Sequence, residues 1–166
     1  MSIKHLKNQC STLKKTFILD GMLGSLTRWL RISGYDSLYF KDTDDDELIN
    51  EALKENRILL TKDKELVSVA RKKDVEAYFI DGISTLEKLI DLRKKTGISY
   101  SLQNSRCPRC NGEVIEVQKE DVSGQVPEAS YNAFKNYWKC EECDAIYWKG
   151  SHWEKLKLTL KKANKT

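Results

Sequence analysis

An α/β domain built on a parallel sheet, followed by a small zinc-binding module, is the fold class this sequence predicts. Three observations carry that expectation. Short apolar runs alternate with helix-period segments across residues 16–96, the pattern of strands joined by helical crossovers. Two Cys-x-x-Cys pairs follow, Cys107 with Cys110 and Cys140 with Cys143. No apolar run approaches the roughly 20 residues of a membrane-spanning helix, and 33% charged with 40% apolar residues is ordinary for a soluble globular chain.

Residues 1–15 are polar and read as an N-terminal extension without the apolar core of a signal peptide. A cytoplasmic location and no membrane partner are therefore expected. Residues 16–19 form the first apolar run, ending in Asp20. Apolar positions 23, 26, 29, 30 and 32 then follow helical spacing, and Gly34 closes that helix. Residues 37–40 read as a second strand. The next helix is opened by the acidic run and carried by Leu48, Ile49, Ala52 and Leu53. A third strand at 58–61, a helix at 66–71, a fourth strand at 77–80 and a helix through Leu86, Leu89 and Ile90 to Gly97 complete a unit spanning 16–97. Residues 98–106 are polar and without clear period, a linker. The zinc module spans 107–155, and 156–166 is a basic tail, because residues 155–166 hold five lysines and no acid. Crossovers of this kind are right-handed, and ligands collect at the carboxyl ends of the strands. Those ends carry Asp20, Lys41 and Asp42, Thr61 to Asp63, and Asp81.

The cysteines are the most specific signal. Tetrahedral zinc takes four thiolates, and a two-residue gap lets both sulfurs of a pair reach one ion. The 29 residues between Cys110 and Cys140 exceed the usual roughly 15–20. A loop or short helix inserted around 126–136 accounts for the excess. Gly112 sits where a left-handed residue is often needed. A closed four-cysteine site is structural, so zinc here holds a module together. His152 is left to surface or substrate contact, because the coordination sphere is already complete. Cys10 belongs to no motif and reads as a bystander.

The acids are the second signal. Asp20, the Asp44–Glu47 run and Asp63 lie in separate segments that a parallel sheet brings to one rim. Crowded carboxylates repel one another unless a cation is bound between them, and magnesium or manganese suits such ligands. Helix capping explains one acid of the run, and it also suits Asp63. Asp45 precedes Leu48, Ile49 and Ala52 at helical spacing, which turns it toward the rim. An ionised Asp20 directly after an apolar strand needs a partner. Position 21 is Gly and position 22 is Met, which excludes the paired acids of a phosphotransfer receiver and the second Asp of a haloacid-dehalogenase motif. Walker and dinucleotide glycine loops are missing as well.

Taken together, Phe17-Ile-Leu-Asp-Gly-Met-Leu-Gly-Ser-Leu-Thr-Arg-Trp-Leu-Arg, Gly34-Tyr-Asp, the Asp44-Asp-Asp-Glu-Leu run, Arg57-Ile-Leu-Leu-Thr-Lys-Asp and Tyr147-Trp-Lys-Gly-Ser-His-Trp resemble the Mut-seven C-terminal ribonuclease family. The resemblance covers roughly residues 16–155. It implies a PIN-like three-layer α/β/α sheet followed by a zinc ribbon, and magnesium- or manganese-dependent hydrolysis of RNA. By position, Asp20, Asp44 or Asp45, and Asp63 are then the catalytic acids, with Asp81 a candidate fourth. Lys62 stands where Arg is more usual. Arg28, Arg31, Lys62, His152 and Trp153 are candidate RNA contacts. Net charge, at +4, does not by itself decide for a nucleic acid. The alternative is a non-catalytic RNA-binding factor, with ribosomal particles as partners, that grips RNA through Tyr137, Trp138, Tyr147, Trp148 and Trp153 and the lysine tail. Those aromatics would otherwise pack the small module's core.

Overall fold

Four short strands, β1 (Phe17–Leu19), β2 (Ser37–Tyr39), β3 (Ile58–Thr61) and β4 (Ala77–Phe79), pair in parallel in the order β2-β1-β3-β4. The computed structural model describes residues 14–165, so Cys10 and nearly all of the expected N-terminal extension lie outside the described residues. Side chains alternate across the pleat, and this divides the core in two. Phe17, Leu19, Ile58 and Leu60 face α1 (Gly24–Ile32) and α4 (Thr85–Thr96). Ile18, Leu59 and Ala77 face α2 (Asp45–Lys54) and α3 (Lys64–Lys72). The result is a three-layer α/β/α unit. The β1 and β3 runs are buried on both faces, which is why they read as unbroken apolar stretches rather than alternating ones.

The helices that follow β3 and β4 show their caps in sequence. Asp63 caps α3, and Ser84 with Glu87 forms a capping box on α4, which Gly97 ends in the left-handed conformation.

The second sheet is antiparallel, β5 (Val114–Val117), β6 (Tyr137–Cys140) and β7 (Ile146–Trp148) in that order. The excess sequence between the cysteine pairs contains a 3-10 turn and the short helix α5 (Glu128–Ala133).

Two segments depart from the sequence expectation. The stretch 98–106 is packed: Ile98 and Tyr100 are buried in the core beneath α4, the Tyr100 hydroxyl donates to the Leu89 carbonyl, and the Tyr35 hydroxyl donates to that of Ser99. Its signal was an alternation of apolar residues at 98, 100 and 102, too short to stand out from the polar residues between. The lysine-rich end is also more than a tail. It forms α6 (His152–Lys165), whose Leu160 and Ala163 enter the same core, while the Asn164 side chain pairs with both backbone groups of Tyr100. Trp153, Leu156, Leu160 and Ala163 repeat at three- and four-residue intervals, one helical stripe, and the lysines occupy the other faces. No helix is long and apolar enough to cross a membrane among the described residues.

Candidate active site and metal centre

Strand order reverses between β1 and β3, so their carboxyl ends form the crevice where ligands collect in such sheets. Asp20 leaves β1 there. One of its carboxylate oxygens accepts from the Met22 amide at 2.9 Å, capping a 3-10 turn, and the other accepts a short hydrogen bond from the Thr61 hydroxyl. The Thr61 oxygen in turn accepts from the Asp63 amide at 2.9 Å. Thr61 thus ties the ends of β1 and β3 together, a role the sequence reading missed. Asp63 accepts from the Glu65 and Leu66 amides at 2.7 and 3.2 Å.

The acidic run separates into distinct roles. Asp44 is the cap of α2, accepting from the Glu47 amide at 2.9 Å, and Asp46 pairs with Lys73 at 2.6 Å. Asp45 is the one that faces the rim. Its carboxyl is pushed above the ordinary value by loss of water first, then by the charges of Asp63 and Asp20, and less by its neighbours Asp44 and Asp46. Asp81 is not among those charges. It accepts from the Gly82 amide at 2.7 Å on the far side of β3. The oxygens of these acids are not drawn into a closed cage: among the described residues, the group whose ligand atoms all lie within 4.8 Å of one another is the four cysteines.

Of the candidate RNA contacts, Arg28, His152 and the flank of Trp153 reach solvent. Lys62 instead donates to the Gly82 carbonyl at 2.9 Å, joining the loops after β3 and β4. Arg31 is a correction. It is only 8% exposed, and its guanidinium donates to the carbonyls of Ser37 at 2.9 Å, Pro108 at 3.2 Å and Arg109 at 2.9 Å. With Nε and Nη1 engaged by backbone acceptors, it clamps the cysteine module to the sheet rather than standing free on a solvated helix face.

The two cysteine turns are built alike. In the first, the Asn111 amide donates to the Cys107 carbonyl and the Cys107 amide to Gly112; in the second, Asp144 donates to Cys140 and Cys140 to Ala145. The left-handed residues are Asn111 and Asp144, with φ of 74° and 57°. Gly112 is required for a different reason than expected: a Cβ there would lie 2.3 Å from the Glu142 side chain and 3.1 Å from the Cys140 sulfur. The Gly112 and Glu142 amides each point at a sulfur, Cys110 and Cys140, at 3.4 Å. Sulfurs of Cys107 and Cys143 lie 3.6 Å apart, and those of Cys110 and Cys140 lie 3.4 Å apart. Tetrahedral zinc with sulfurs at about 2.3 Å sets them about 3.8 Å apart, so the four thiols suit such an ion. Burial raises the Cys107 thiol, but the Tyr147 hydroxyl at 3.1 Å and the Cys110 and Arg109 amides outweigh it and bring it down to about 6.

Asn111 does more than turn the chain. Its side chain accepts from the Ser37 amide at 3.1 Å and donates to Asp36 at 2.8 Å, and Asp36 holds Arg57 through both oxygens. A buried Asn after the first cysteine pair therefore docks the module on edge strand β2. Neither this nor the Arg31 clamp had a sequence signature, because both join residues more than 70 positions apart.

A three-layer parallel α/β sheet with acids at its carboxyl rim, and a four-cysteine cluster consistent with a zinc ribbon docked on its edge, defines the class of protein. Within it, the chain belongs to the Mut7-C RNase domain family, whose model matches residues 15–160. No curated protein and no solved structure matches the chain.

Proposed function

We propose that this protein is a magnesium- or manganese-dependent ribonuclease of PIN-like architecture that hydrolyses RNA phosphodiesters at the rim formed by Asp20, Asp45 and Asp63. The observation that supports it most is the junction of β1 and β3. Thr61 holds Asp20 and Asp63 in one hydrogen-bonded unit, and Asp45 feels the charge of both. Three carboxylates kept in mutual repulsion on a folded rim supply hard oxygen ligands, the donor set that magnesium and manganese prefer. Their open spacing suits ions that retain waters and take further oxygens from a substrate phosphate. A divalent ion bound there would supply a water of lowered pKa for in-line attack on phosphorus.

The chain's own groups have separate tasks in this reading. The Thr61 hydroxyl and the Met22 amide fix the Asp20 carboxylate, leaving each oxygen a free lone pair. Asp63 is oriented by the amides at the start of α3. Asp45, on the first turn of α2, is held less tightly and is the acid whose proton competes with metal. Asp44 serves the helix rather than the ion. The four cysteines hold a structural zinc.

The test is cleavage of labelled structured and unstructured RNAs by the full chain, with and without added manganese or magnesium, beside Asp20→Asn and Asp45→Asn. Both variants should stay folded and lose cleavage by orders of magnitude. An Asp20→Asn protein as active as wild type refutes the reading and leaves a binding factor.

A further inference from the structure

We infer that a single-stranded RNA segment follows a basic groove along α1, from the acidic rim to an aromatic pocket between the ribbon and α6, and that an unpaired base inserts there between Trp138 and Trp153. The inference rests on RNA being the substrate, not on its being cut.

Two cavities share one residue, Pro108 of the first cysteine turn. The first, of about 880 Å³, runs from Gly21 at the rim past Gly24 and Ser25 to Arg28 and Arg109. Gly24 in its wall packs against the Tyr39 ring, where a Cβ would stand 3.0 Å from the phenol oxygen. No acid lines it, and the side chains of Arg28 and Arg109 are open to solvent. Arg31 also lines the groove, with its guanidinium bonded to the Ser37, Pro108 and Arg109 carbonyls. Two free cations along an acid-free groove match a chain of phosphates.

Beyond Pro108 the second cavity opens, about 440 Å³, in the range of about 300–1,000 Å³ typical of small-ligand sites. Trp138 on β6 and Trp153 on α6 flank it, and Lys149 stands over both rings, 4.8 and 5.3 Å from their centres. These rings are not the ribbon's core. Tyr137 fills that role at 0% exposed, whereas Trp138 and Trp153 are only partly buried. Tyr147 is committed to the Cys107 sulfur. Glu116 is the single acid of the lining, and it accepts from the Asn136 amide. A base between two indoles, with Lys149 shifted to its phosphate, uses every feature of the pocket.

The acidic rim and the aromatic pocket lie at opposite ends of α1, and the first cavity runs between them. Gly21 precedes that helix and Ile32, its last residue, lines the aromatic pocket. Nine residues at about 1.5 Å each separate them by about 13 Å, a distance that a few nucleotides of extended strand cover. The pocket would therefore set how far from a stacked base the rim meets the backbone.

The test uses the full chain, without added magnesium or manganese, and a single-stranded RNA carrying a fluorescent adenine analogue at successive positions. Wild type should quench the analogue most at one position, and Trp153→Ala should weaken binding roughly tenfold. Trp153→Phe should restore much of it, since a smaller ring still stacks. Arg109→Gln should lower affinity and reduce the salt slope by about one unit with quenching retained. Metal content and circular dichroism show which variants keep the ribbon. Folded Trp138→Ala and Trp153→Ala proteins that bind like wild type overturn the inference, as does tighter binding of fully paired RNA. If cleavage survives while binding ignores these residues, the track fails and the nuclease stands; if no cleavage is seen but binding depends on them, the reverse holds.

Discussion

Replacing Arg31 with Ala removes the clamp between the two parts of the chain, and its cost follows from the contacts. The side chain makes three hydrogen bonds to carbonyls, two of them from one nitrogen. Bonds from a charged donor contribute about 1.5–3 kcal/mol each, and the shared nitrogen reduces three to about two effective ones. The Ser37 carbonyl is left buried without this partner, whereas those of Pro108 and Arg109 are part-buried and can turn to water, which keeps the total toward the lower part of that sum. A loss of about 3–5 kcal/mol is expected, a large part of the roughly 5–15 kcal/mol by which domains of this size are stable. Arg31→Lys should recover less than half, because one ammonium cannot span Ser37 on the sheet and Arg109 on the cysteine turn. Urea denaturation followed by circular dichroism measures the loss. Zinc release to a colorimetric chelator reads the ribbon separately and should accelerate in both variants. If Arg31→Ala costs less than about 1 kcal/mol and zinc leaves at the wild-type rate, the guanidinium is not the clamp.

Leu160→Ala should destabilise the sheet unit by about 2–5 kcal/mol, the range for buried Leu truncation, since Leu160 is 3% exposed in the core; a loss below 1 kcal/mol in urea would mean α6 is a detachable tail. Cys140→Ser should unfold the ribbon and also lower the stability of the sheet unit, measured as a shifted denaturation midpoint, because Arg31 loses the Pro108 and Arg109 carbonyls and Ser37 and Asp36 lose Asn111. Asp36 gives a pH test. Burial alone would raise its carboxyl, but the hydrogen bonds from Arg57 and Asn111 and the Arg57 charge hold it below the usual value. A lowered acid stabilises the fold above its unfolded pKa of about 3.9 and loses that contribution as pH falls through the folded value. Asp36→Asn should therefore be less stable than wild type at neutral pH, and the two should converge in strong acid. Asp45 has the opposite shift, so metal-dependent cleavage should fall away on the acid side at a higher pH than an ordinary aspartate would set, and a pH profile in manganese checks it.

The sequence alone determined the elements that rest on local chemistry. Buried strands announced themselves as short apolar runs, helices through their 3.6-residue spacing and caps, and the four-cysteine cluster by two paired cysteines, because each is decided within a few residues of chain. It also pointed to Asp20 and Asp63 as acids at strand ends, since parallel topology carries those ends to one rim. What it could not determine were interactions that exist only after folding. Thr61 is an ordinary strand residue until β1 and β3 pair and set its hydroxyl on Asp20. Arg31 looks like a solvated helix cation until the cysteine turn closes over it with two carbonyls. Residues 98–106 and 155–166 read as polar segments because lysines and serines outnumber their buried Ile98, Tyr100, Leu160 and Ala163. Only the tertiary fold decides which side of such a segment meets a core, because burial depends on what arrives opposite it and not on the segment's own composition.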